Sequence, residues 1–200
     1  MTAFRRDNAN AHPEWFNGAV PSFGDEAARL LIVGLAPGLQ GANRTGRPFT
    51  GDYAGDLLYP TLLKCGFATG TYAASADDGL ALNDAMITNA VRCVPPQNKP
   101  TPAEANECRP HLTARIEALP NLKAILCLGR IAHDAVLKSY GLRLAAHPFG
   151  HGARHSHDAD DPVIYDSYHC SRYNTNTGRL TADMFESVFA AIRAELDGIN

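Results

Sequence analysis

Hydrophobic positions along the chain fall into short continuous runs separated by polar or helically spaced stretches. Residues 29–35 (RLLIVGL) are almost wholly apolar and stop at Ala36-Pro37-Gly38. Their length and branching predict a buried strand. Residues 82–90 (LNDAMITNA), 124–129 (AILCLG) and 162–168 (PVIYDSY) predict three more. Between them the spacing is helical. Leu57, Leu58, Leu62 and Cys65 share a face over residues 54–65, which Pro60 should disturb. Thr101, Pro102 and Glu104 form a capping-box start for a helix to about residue 119. A further helix is expected over 130–140, and Thr181 caps a last one over 182–196. This alternation predicts an α/β fold of three layers, α/β/α, around a central, mainly parallel sheet of four to five strands. The expected organisation is one domain over residues 1–200, with residues 1–25 as an irregular arm held down by Trp15, Phe16 and Phe23.

Composition narrows the class. A hydrophobic fraction of 45% with 20% charged residues excludes long disorder and collagen-like or coiled-coil chains. No apolar run approaches the roughly 20 residues of a membrane-spanning helix, and the N-terminus lacks a signal-like apolar core. Five cysteines, an odd number, fit a reducing cytoplasm better than a disulfide framework. A net charge of −3 argues against a uniformly basic nucleic-acid binder.

Ligands of such folds sit at the carboxyl ends of the strands. The segments there are 34–52, 89–102, 129–130 and 169–179. The first is glycine-rich but lacks the GxxxxGK[ST] and GxGxxG patterns, so a nucleoside-triphosphate site is disfavoured. Within it, Phe49 is either a loop anchor or a ring for stacking a planar ligand. Asn89 offers a donor and an acceptor side by side, suited to a nucleobase edge or to loop backbone. His169 follows a strand and is either structural or an acid–base and oxyanion-stabilising group. Ser171, Arg172, Asn174, Asn176 and Arg179 are donors that suit phosphates. Cys93 and Cys108 are too far apart for a CxxC knuckle. His147, His151, His155 and His157 crowd one segment, 144–161, and read as a solvated loop, since no acidic or cysteine partner stands at a metal-binding spacing.

Three segments, GLAPGLQGANRTGRPFTGD, ITNAVRCVPPQNKPTPAE and SYHCSRYNTNTGRLT, resemble the motifs of the uracil-DNA glycosylase superfamily, above all its type B branch, family 5. The resemblance runs from about Pro21 to the C-terminal helix. It implies a monofunctional base-excision glycosylase that flips uracil, and other deaminated bases such as hypoxanthine, out of damaged DNA and hydrolyses the glycosidic bond. It implies that Gly34 and Ala36 line the base site, Phe49 stacks on the base, Asn89 reads its edge and His169 donates to its oxygen. It also implies that the 171–179 run holds DNA. The water-positioning place of the first motif is Leu35 here, so Asp52 is the candidate for that role and Asn43 the runner-up. Cys170 stands where relatives often carry proline. The branch also holds a [4Fe–4S] cluster, for which Cys93 and Cys108 would supply half the ligands. The other pair would precede MTAFRR, so either the chain starts late or the cluster is absent. Arg44, Arg47, Lys99, Arg172 and Arg179 are expected to form a basic face on an acidic, monomeric, cytoplasmic body. The rival readings are a nucleic-acid-binding module without chemistry and a nucleotide-binding enzyme of another class.

Overall fold

The computed structural model describes residues 2–198. Helix α1 (Thr2–Ala11) precedes the two-residue strand β1 (Phe23–Gly24) and the buried strand β2 (Leu30–Gly34). Helices α2 (Ala42–Thr45) and α3 (Gly55–Lys64) follow, then a small hairpin of β3 (Ala68–Thr69) and β4 (Ala81–Leu82). Strand β5 (Ala85–Asn89) leads through a proline-rich loop to α4 (Pro102–Glu117). Strand β6 (Ala124–Leu128), helix α5 (Arg130–Ser139), strands β7 (Arg154–His155) and β8 (Val163–Ser167), and helices α6 (Arg172–Asn176) and α7 (Ala182–Leu196) complete the chain.

The large sheet runs β1-β5-β2-β6-β8-β7. Its four inner strands are parallel, as expected. It has six strands because the two-residue edges β1 and β7 add antiparallel rungs at either side. Inner strands covered on both faces are largely apolar. β2, β5 and β6 are buried at every position, and β8 at all but Val163. One face packs on α3 and α7 through Leu58, Leu62, Phe185 and Phe189. The other packs on α4 and α5 through Leu112, Ile116, Val136 and Leu137. The capping box at Thr101 and Glu104 is formed. Pro60 lies inside α3 without ending it.

Two expectations are corrected. The arm is not irregular throughout, since Thr2–Ala11 is helical. α1 buries no residue. Its anchor is polar: Arg5 donates to the Asn17 carbonyl and to Cys93 Sγ at 3.3 Å. The histidine-rich segment is not a solvated loop either. The side chains of His155 and His157 are only 9% and 7% exposed. Asp166, fully buried on β8, gathers the segment. Its carboxylate accepts from His133 Nδ1 at 2.8 Å and from His155 Nε2 at 3.1 Å. His133 Nε2 faces the His147 carbonyl at 2.9 Å. Both ring nitrogens of His133 therefore meet acceptors, an arrangement that favours the imidazolium. Burial opposes that charge, but the hydrogen bond and charge of Asp166 prevail and raise the His133 pKa. The acidic partner was missed because it lies 11 residues from one histidine and 33 from the other.

Candidate active site

A cavity of about 950 Å³ opens at the carboxyl ends of β2, β5 and β8. Its floor is set by close approach. A methyl group at Gly34 would collide with Asn89 Oδ1 and with the Phe49 ring, so only glycine leaves room for both above the strand. Asn89 ends β5 and is 5% exposed. Among the described residues its amide has no hydrogen-bond partner, and it lines the cavity, so its donor and acceptor are free for a ligand.

Phe49 sits in the left-handed region (φ 54°), a strained place for a side chain. Its neighbours hold it there. Tyr59 Oη donates to the Pro48 carbonyl at 2.6 Å, and Tyr72 Oη to the Phe49 carbonyl at 3.5 Å. Behind them, Arg47 forms a two-toothed ion pair with Asp78 at 2.8 Å on both arms and donates to Thr50 Oγ1 at 2.7 Å. Arg47 is 4% exposed. It is therefore not part of the basic face; it is the buried brace of the Phe49 turn. The Phe49 and His169 rings face each other with planes 29° and centroids 5.9 Å apart.

His169 follows β8 directly. Asn174 Nδ2 donates to its carbonyl at 2.8 Å, so that amide serves the loop. Burial alone pushes the His169 imidazole down to about 4. At neutral pH the ring is uncharged, with one N–H and one lone pair.

Asp52 also lines the cavity. Its Oδ1 accepts from the Ala54 N–H at 3.1 Å. Its Oδ2 lies where side chains at Gly38 or Gly41 would have to go. Burial raises the Asp52 carboxyl above its usual value, against the opposing N–H groups of Gly55 and Ala54. Asn43 stands behind the wall: it is fully buried and donates to Asn17 Oδ1 at 3.0 Å, with its own Oδ1 unpartnered. Ala36 and Leu35 are part of the lining.

Cations surround the mouth. Lys99 and Arg172 line the cavity, and Arg130 and Arg179 line an adjoining one of about 410 Å³. None of the four is in an ion pair among the described residues, whereas Arg29, Arg47, Arg154 and Arg193 are all paired. Arg172 lies 5.0 Å over the Tyr53 ring, and Arg179 4.4 Å over Tyr168. Arg44 is exposed and held to the Gln40 carbonyl at 2.8 Å. Ser171 caps α6, and Asn176 Oδ1 accepts from Tyr53 Oη at 3.4 Å. Arg130 was not singled out as a site residue. Its position directly after a strand-ending glycine was the available signal.

Cys93 and Cys108 are the residues expected to hold part of a four-thiolate cluster. Among the described residues the one group of three or more possible metal-ligand side chains is His133, His155 and Asp166, which includes neither cysteine. Cys93 Sγ faces the Arg5 guanidinium instead. The two thiols are free and offer half of the four ligands such a cluster takes.

A preformed pocket at the carboxyl ends of a parallel sheet, with unpaired cations at its mouth, places this chain among the α/β proteins that bind their ligands there. The family comparison agrees: the model of the uracil DNA glycosylase superfamily matches residues 21–193, and the chain belongs to that superfamily. It is 46% identical over 184 residues to the type-5 uracil-DNA glycosylase of Thermus thermophilus, covering 92% of this chain and 83% of that one. It is 42% identical over 176 residues to the type-5 enzyme of Pyrobaculum aerophilum (88% and 76%). To the type-4 uracil-DNA glycosylase of Archaeoglobus fulgidus it is 38% identical over 125 residues (62% and 54%).

Proposed function

We propose that this protein is a monofunctional DNA glycosylase that removes uracil, and other deaminated bases such as hypoxanthine, from DNA. The observation that carries the proposal is the unpartnered Asn89 amide, which faces the same cavity as the Phe49–His169 ring pair. A base inside a duplex is out of reach, and extruding it costs a few kcal/mol. Stacking on Phe49 offsets roughly 1–3 kcal/mol of that. Asn89 then reads the base edge with its donor and acceptor. As the C1′–N bond breaks, the electron pair moves onto the base, and His169 N–H donates to the oxygen that gains charge. An uncharged donor suits this role, because it stabilises the anion without first giving up a proton. Water bonds to C1′, and its proton passes toward Asp52, whose raised pKa makes it a better acceptor. Lys99, Arg172 and Arg179 hold backbone phosphates, a role their lack of carboxylate partners supports. Five free thiols accord with a reducing compartment.

The test is incubation with uracil- and hypoxanthine-containing duplexes, followed by alkaline cleavage of abasic sites. Uracil release is expected. His169→Ala should slow it tenfold or more, at least about 1.4 kcal/mol in the barrier. No release from any damaged duplex would sink the proposal, and tight uracil-DNA binding without release would favour a binding module.

A further inference from the structure

The histidine-rich segment brings one imidazole against the strand exit that carries His169. Asp166 anchors the segment there: its Oδ2 accepts from the Gly150 N–H at 3.3 Å, and its main-chain oxygen from the Gly152 N–H at 2.9 Å. Between these anchors His151 lays its ring on Tyr168, with centroids 5.1 Å apart and planes 25° apart. His151 Nδ1 accepts from the Tyr168 N–H at 3.3 Å, with the Ser167 hydroxyl at the same distance. An accepting nitrogen carries no proton, so the ring's proton lies on Nε2. The Tyr168 ring takes the Arg179 guanidinium as well, at 4.4 Å. On the sheet side, the Gly129 N–H donates to the Ser167 carbonyl at 2.8 Å. His151 itself lines neither cavity, while Tyr168 and His169 do.

We propose that His151 is a positioning residue for His169: it fixes the peptide and the ring of Tyr168, and through them the direction in which the next side chain points. The inference rests on the glycosylase reading of His169. A donor aimed at a developing oxyanion works only over a few tenths of an ångström, and a 1 Å misplacement costs on the order of a hundredfold in rate. Loss of the His151 contact therefore acts on chemistry more than on DNA affinity, since Lys99 and Arg172 hold phosphates independently of the Tyr168 ring.

The experiment pairs His151→Leu, which removes the acceptor, with His151→Asn, whose amide oxygen can still accept from Tyr168. Single-turnover release from a uracil duplex is measured beside Kd for a duplex bearing 2′-fluorinated deoxyuridine, whose glycosidic bond resists cleavage. His151→Leu should be at least tenfold slower with Kd within twofold of wild type, and His151→Asn should recover to within about threefold. A wild-type rate in His151→Leu would overturn the proposal, as would no advantage of asparagine over leucine or a Kd rise that accounts for the loss. Hydrogen exchange in the wild-type protein tests the contact without any variant. Protection of the Tyr168 amide is expected, and rapid exchange there overturns the proposal even if both variants fail to fold. Protection without uracil release would instead overturn the glycosylase reading.

Discussion

In the role proposed for it, Asp52 serves chemistry at the expense of stability. Its carboxyl is raised in the folded state, so the native protein binds that proton more tightly than the unfolded chain does. Between the unfolded and folded pKa values stability falls as pH rises, and the full cost is present at neutral pH. Asp52→Asn cannot ionise. It should melt at a higher temperature than wild type at pH 7, with the advantage fading as pH falls toward about 4 and gone below it, while single-turnover base release falls tenfold or more. Parallel thermal melts and rate measurements check both halves, and a variant that is slower but no more stable would remove Asp52's burial from the account. At this scale the sequence named Phe49, Asn89, Asp52 and His169, and the fold brings all four to one cavity. It misassigned Arg47. An arginine in a glycine-rich loop after a strand reads as a phosphate ligand, and nothing local announces that Asp78, 31 positions on, holds it in the interior.

The element most exposed to that misassignment is the turn that carries Phe49. Its backbone strain is held by the Tyr59, Tyr72 and Arg47–Asp78 contacts, with the pair's side chains 5% and 1% exposed. Removing one partner of a buried pair leaves an uncompensated charge and costs about 3–5 kcal/mol. Arg47→Ala should show that loss in urea unfolding at pH 7. The Arg47 guanidinium holds the Asp78 carboxyl well below the usual carboxylate range. The wild-type pair's contribution is therefore present above about pH 4 and is lost as pH falls, so the gap between the two proteins should narrow in acid. Base release by the surviving folded fraction should drop too, because the turn no longer presents its ring. The inner strands were legible because four short segments rich in apolar and β-branched residues alternate with helically spaced stretches. The edges β1 and β7 were not, since two residues carry no alternation to read. Nor was α1, whose stretch NANAH gives no apolar face.

Over the whole molecule, net charge misleads about the surface. The chain carries −3, yet four unpaired cations ring the two cavities, and Asp52 is the one carboxylate in their linings. DNA affinity should therefore be steeply salt-dependent, each phosphate contact adding about 0.9 to the slope of log K against log[salt]. Arg172→Ala should lower that slope by about one, with little change in preference among damaged bases. Fluorescence titration at several salt concentrations measures it, and an unchanged slope would take Arg172 out of the phosphate contacts. The cavity floor obeys a different rule. Gly34 and Asn89 are register partners on adjacent parallel strands, so it is one rung of the central ladder. An amide mounted there has no hinge. Descendants of this protein that turn to a different base must do so by exchanging side chains on a fixed frame, because the backbone beneath them could shift only if the sheet slipped its register.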